Sequence, residues 1–134
     1  MYDAIDSRLI PPHMRCSMIQ YACAGTPPGG FLSAVYSNDL MEAAGRADAT
    51  NIRILAAYAA VCYSWMPRGS VGSSERVRAW CEKMRDAPSL PLLEKFPAAW
   101  ADEVRETRRL IESWPEPAIG DGEPTKEAPV ADTP

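Results

Sequence analysis

Apolar positions recur three and four residues apart along most of this chain, and nowhere do they alternate with polar ones for the length of a strand. The first run opens at Ile10-Pro11-Pro12, where proline sits in a first helical turn and its missing N–H costs least. Met14, Met18, Tyr21 and Ala22 follow at helical spacing, and Gly25 ends the helix. A second helix is expected over 30–45, with Leu32, Val35, Tyr36, Leu40, Ala43 and Ala44 as its stripe and Asn38, Asp39 and Glu42 away from it. A third is expected over 50–66 after the capping chemistry of Asp48-Ala49-Thr50-Asn51. It is apolar nearly all round, which predicts the central, most buried element, and Pro67 ends it. Ser73 is the expected N-cap of a fourth helix, with Glu75 in its first turn and Val77, Trp80, Cys81 and Met84 on one face. Pro97 starts a fifth, whose apolar face is Trp100, Val104, Ile111 and Trp114.

This pattern predicts an all-α fold: a compact four- to five-helix domain with a disordered, acidic, proline-rich C-terminal tail. Residues 1–9 are expected to be a flexible arm, 10–87 the helical core domain, and 88–114 a C-terminal helical extension beyond the break from Pro88 to Pro97. The extension either packs on the core or reaches a partner, because Trp100 and Trp114 need covering. Residues 115–134 hold five prolines and no aromatic residue, the composition of a disordered tail.

Charge changes the picture of possible partners. Residues 115–134 carry five of the 18 acidic side chains and one of the 14 basic ones, so their net −4 equals that of the whole chain and residues 1–114 are neutral. A neutral body lacks the basic field of nonspecific nucleic-acid binding, so no direct DNA binding is expected. The four cysteines (Cys16, Cys23, Cys62, Cys81) include no Cys-x-x-Cys pair, and each falls on an apolar stretch, the pattern of reduced core thiols. With His13 as the sole histidine, no metal site is expected. No signal peptide precedes residue 20 and no run approaches ~20 apolar residues, which predicts a cytosolic protein without a membrane segment.

Catalysis is hard to build from these residues. Cys16 lies three positions after His13 and shares a helical face with it, but an exposed first-turn histidine explains His13 more simply. Asp39 and Glu42, three apart, read as a solvated polar face. No catalytic residues and no cofactor are expected. The turn Gly25-Thr26-Pro27-Pro28-Gly29-Gly30 lacks the lysine and Ser/Thr of a nucleotide-binding loop, and reads first as a packed helix–helix corner. A small anionic ligand would have the Gly29 and Gly30 amides, Thr26 and Arg46 for its phosphate, and Tyr21 or Tyr36 to stack on a base.

From Ile10 to about Met84 the chain resembles a widespread family of small phage and prophage accessory proteins. Ile10-Pro11-Pro12-His13-Met14, Tyr21, and Thr26-Pro27-Pro28-Gly29-Gly30-Phe31-Leu32-Ser33-Ala34-Val35 carry the resemblance. It continues through Ser37-Asn38-Asp39-Leu40-Met41-Glu42-Ala43, Gly45-Arg46-Ala47-Asp48, Asn51, and the block from Gly72 to Trp80. The chain departs from it at two places. The family has Cys-Trp where this chain has Ser70-Val71, and proline where it has Ser74. The resemblance implies a non-enzymatic protein of the host cytoplasm that acts against host defence, most simply by sequestering a signalling nucleotide as a homo-oligomer. The alternative is a protein–protein inhibitor of a defence complex such as a CRISPR effector, using the 88–114 extension and the acidic tail.

Overall fold

The computed structural model describes residues 7–113, and these form seven α-helices and no strand. Helix α1 (Pro12–Ala24) starts as its prolines predict: Pro11 is the extended N-cap and Pro12 the first helical residue. It ends at Gly25, which takes the left-handed conformation (φ 71°) while the Gly25 and Thr26 amides donate back to Tyr21 and Gln20 carbonyls. A Cβ at Gly25 would also collide with the Cys81 carbonyl and the Arg85 amide. This glycine is therefore required by its dihedral and again by the neighbouring backbone, and the turn is a packed helix–helix corner.

The predicted 30–45 helix is two helices, α2 (Gly30–Tyr36) and α3 (Leu40–Arg46). Asn38 breaks them apart at φ 64°, a conformation asparagine tolerates better than most residues. Asp39 then caps α3, its carboxylate accepting the Glu42 amide at 3.2 Å. Asp39 and Glu42 were expected on a single helix face; the structure makes the first a cap. The predicted 50–66 helix likewise divides at Ile54 into α4 (Ala49–Arg53) and α5 (Leu55–Ser64). Asp48 caps α4 by accepting the Asn51 amide, and Tyr58 of α5 reaches back to donate to Asn51 Oδ1 at 2.6 Å. Helix α6 (Ser74–Asp86) begins at Ser73, whose hydroxyl accepts the Arg76 amide, as the sequence predicts. Helix α7 (Ala101–Glu112) follows two short 3₁₀ turns, Pro91–Lys95 and Ala98–Trp100.

The core is organised on the second half of α1, where every residue from Met18 to Ala24 except Gln20 is buried. This corrects the expectation that the third predicted helix is the central element. Helix α5 buries Ala57, Tyr58, Ala60 and Val61 but turns Ala56, Ala59 and Tyr63 outward. Hydrophobicity all round a helix allows burial on every side without supplying neighbours to cover it.

Residues 88–113 belong to the same core. Leu93, Phe96 and Trp100 are buried, α7 lies along α1, and Phe96 and Trp100 stack at 5.9 Å. Trp100 Nε1 donates to the Ser7 carbonyl, so it ties the first described turn, Ser7–Leu9, to the C-terminal half. Arg15 locks the same junction, donating to the Ile10 and Arg8 carbonyls and pairing with Glu103 of α7 at 3.3 Å. The boundary expected at residue 88 is thus not a break in packing. Residues 1–6 of the predicted arm, Trp114, and the predicted disordered tail 115–134 lie outside the described residues.

Candidate functional site

The two predicted stacking rings are not available to a ligand. Tyr21 and Tyr36 are both 0% exposed and stack on each other, centroids 4.5 Å apart and planes 11° apart. Tyr21 donates its hydroxyl to the Ser70 carbonyl at 2.7 Å. Tyr36 Oη has no hydrogen-bond partner among the described residues. Burial holds both phenols well above their ordinary pKa, so both remain neutral core groups.

The remaining predicted ligand residues divide. Gly30 and Arg46 come together, for a Cβ on Gly30 would press on the Arg46 guanidinium. That guanidinium is already paired with Glu42, one turn earlier on α3. Gly29 is exposed and caps α2, a helix of only seven residues with a correspondingly short dipole. The Thr26 amide is used in closing α1. The predicted phosphate-and-base constellation of Thr26, Gly29, Gly30, Arg46, Tyr21 and Tyr36 therefore does not assemble around one space.

What the structure does assemble is an open groove of about 300 Å³ between α2, α3 and α5. Val35, Leu40, Ala43, Leu55, Ala59 and Cys62 form much of its wall, and Val71–Gly72 closes one end. The Gly72 amide donates to the Tyr36 carbonyl at 2.7 Å, fixing that end to α2. The only charged residue lining it is Asp39. Its surroundings stay apolar: Leu40 is 67% exposed, Met41 84% and Tyr63 78%. Large side chains left this open on adjoining helices form a patch that water covers poorly. The sequence contained the signal in Leu40-Met41, which do not fit the stripe as a pair, but the break at Asn38–Asp39 that turns them outward was not foreseen.

The nucleophile candidates are tuned away from reaction. Cys62, at the groove wall, is pushed up to about 12 by burial, and so is Cys23 in the core. Cys16 is raised by burial and then by the carboxylates of Glu103 and Glu106, the opposite of what activates a thiol. Among the described residues, no group of three His, Cys, Asp or Glu side chains is placed to hold a metal ion. No described helix is long and apolar enough to cross a membrane.

A second hollow of about 380 Å³ lies between Ser64, Trp65 and Pro67 on one side and Leu92, Lys95 and Phe96 on the other. It brings a part-exposed indole ring and a cation to one place. Comparison of the chain with protein-family models, with curated proteins and with solved structures finds no match.

Proposed function

We propose that this chain is a non-enzymatic binding protein that a phage turns against a host defence, and that it works by occluding a defence protein rather than by withdrawing a signalling nucleotide. The observation that carries this reading is the lining of the α2–α3–α5 groove: apolar walls, exposed Leu40 and Tyr63 at its rim, and a single carboxylate, Asp39. Such a surface repels a phosphate and fits an apolar helix or loop of a partner that brings a Lys or Arg to Asp39. A CRISPR effector, whose nucleic-acid-handling surfaces are basic, is one candidate of that chemistry.

The test is phage plating on cells carrying a defence system, with and without the chain. Ala59→Arg fills the groove from an exposed position and leaves the core alone. Protection should vanish with Ala59→Arg while the melting temperature holds. Melting shifts with a panel of signalling nucleotides should be absent. Full protection by Ala59→Arg, together with a nucleotide-induced shift, would sink the proposal.

Nucleotide sequestration keeps one specific observation in its favour, the second hollow with Trp65 and Lys95. In that case Lys95→Glu abolishes the melting shift and Ala59→Arg does not.

A further inference from the structure

The hollow between Trp65 and Phe96 pairs an apolar lining with a single charge. Trp65 is 40% exposed, Leu92 and Phe96 stand across from it, and Ser64 and Pro67 complete the rim. Lys95 is the only charged residue lining it. Its side chain is exposed and makes no ion pair among the described residues. Glu94 adjoins it in sequence but does not line the hollow. An indole beside a lone ammonium suits a proline with a carboxylate next to it, since the proline ring packs on the aromatic ring and one carboxylate answers one cation. A polyphosphate would bring several charges to one lysine.

The chain carries that chemistry in its own sequence. Pro117 and Pro124 each directly follow a glutamate, and Pro129 and Pro134 each follow an acidic residue by two positions. Residues 115–124 hold Glu116, Asp121, Glu123 and three prolines with no basic residue, whereas Lys126 offsets the charge of the stretch beyond. We propose that this segment of the same chain docks in the hollow, with Pro124 on the Trp65 indole and Glu123 on Lys95.

Length selects this pair. Ser113 caps α7, and α7 packs against the Pro91–Lys95 turn, from which Leu92 and Lys95 line the hollow. The 12 residues of α7 make a helix ~18 Å long. A proline-rich chain extends by ~3.1 Å per residue, so the stretch from Ser113 to Pro117 spans ~12 Å and that to Pro124 spans ~34 Å. Glu123-Pro124 has length to spare, where Glu116-Pro117 falls short of the helix it must run back along. One ring contact and one exposed ion pair are weak between separate molecules. The tether supplies a local concentration on the order of millimolar, which makes so small a contact sufficient.

Nuclear magnetic resonance of the full chain tests this with no host partner present, so failure here leaves the proposed role of the α2–α3–α5 groove untouched. At low salt, nuclear Overhauser effects should join the Trp65 ring protons to the Pro124 ring. The amide resonances of residues 121–123 should move on Trp65→Ser. Lys95→Glu should lower the docked fraction about threefold or more, and salt at ~0.5 M should act in the same direction. Combining Lys95→Glu with Glu123→Lys should recover docking, which a merely distorted hollow would not allow. Amides of 121–123 that ignore both single substitutions, together with no contact from Trp65 to this segment, overturn the proposal. So do contacts seen only between differently labelled chains, which would seat the segment on a second copy. A Trp65 resonance that shifts with added adenosine triphosphate while residues 121–123 stay unchanged overturns it as well.

Discussion

The two ends of this molecule treat the same kind of helix in opposite ways. At the C-terminus of α1, four consecutive carbonyls are satisfied from different sources. Gln20 and Tyr21 accept from the closing turn, Ala22 accepts Trp80 Nε1 at 3.1 Å, and Cys23 accepts the Ser89 amide at 2.8 Å. Three separate stretches of chain converge there, and a change in any one leaves a buried acceptor unpaired. Helix α3 has an N-cap and one exposed ion pair, and its outer arc touches nothing else. The first arrangement fixes a fold. The second leaves a surface whose apolar residues do no work inside one copy of the chain. The buried junction and the exposed apolar surface are thus placed on different helices, so substitutions can separate them.

The difference lies at the exposed surface and not in the thiols buried beneath it, and alkaline unfolding tests this with the largest expected effect. Cys23 lies in the packed end and Cys62 on the groove wall, yet burial raises both thiols from 9.0 to about 12. A folded state that holds its proton more tightly than the unfolded chain is fully stable below the unfolded pKa and loses that stability as pH rises through the folded one. Thermal melts should therefore be level up to about pH 9, then fall steeply, with the chain unfolded near pH 12. Cys62→Ala should flatten part of that fall. A level profile across the whole window would mean that the groove wall at Cys62 and the core at Cys23 are both wet.

Two glycines sharpen the comparison next. Gly25→Ala forces a left-handed residue to carry a Cβ into the backbone of α6, with an expected loss of about 4 kcal/mol. Gly45→Ala, in α3, meets open space and removes a flexible helical residue, with an expected gain of about 0.5–1 kcal/mol. Urea titrations measure both. Equal losses would mean that α3 is as tightly held as the α1 corner.

What could be read in the sequence was the chemistry that acts within three or four residues. Pro12, Gly25, Asp48 and Ser73 each start or stop a helix where they were expected to, because a cap is completed by its own near neighbours. The all-α class followed from the spacing of apolar residues. The breaks at Asn38 and Ile54 were not legible, since nothing in the apolar stripe marks a change of axis. The burial of Tyr21 and Tyr36 was written in their places on the apolar stripes, but their stacking on each other, which depends on two helices meeting face to face, was not. Arg15 passed unnoticed for the same reason: its partner Glu103 is 88 residues away. The groove was missed because it is made by the breaks.

Those two stacked tyrosines supply the smallest effect and the finest test. Their rings are equally buried, one on α1 and one on α2, and they differ only at the hydroxyl. Tyr21→Phe removes a 2.7 Å hydrogen bond and strands the buried Ser70 carbonyl, with an expected cost of about 1–2 kcal/mol. Tyr36→Phe removes a hydroxyl with no partner among the described residues, and relieves a desolvated polar group at the expense of a few contacts. Its expected effect lies between zero and a gain of about 1 kcal/mol. Chemical denaturation of the two variants side by side reads the difference directly, since ring packing is common to both. A clear loss from Tyr36→Phe would reveal a bound water on its hydroxyl. The packed end would then extend, through that water, to the floor of the groove.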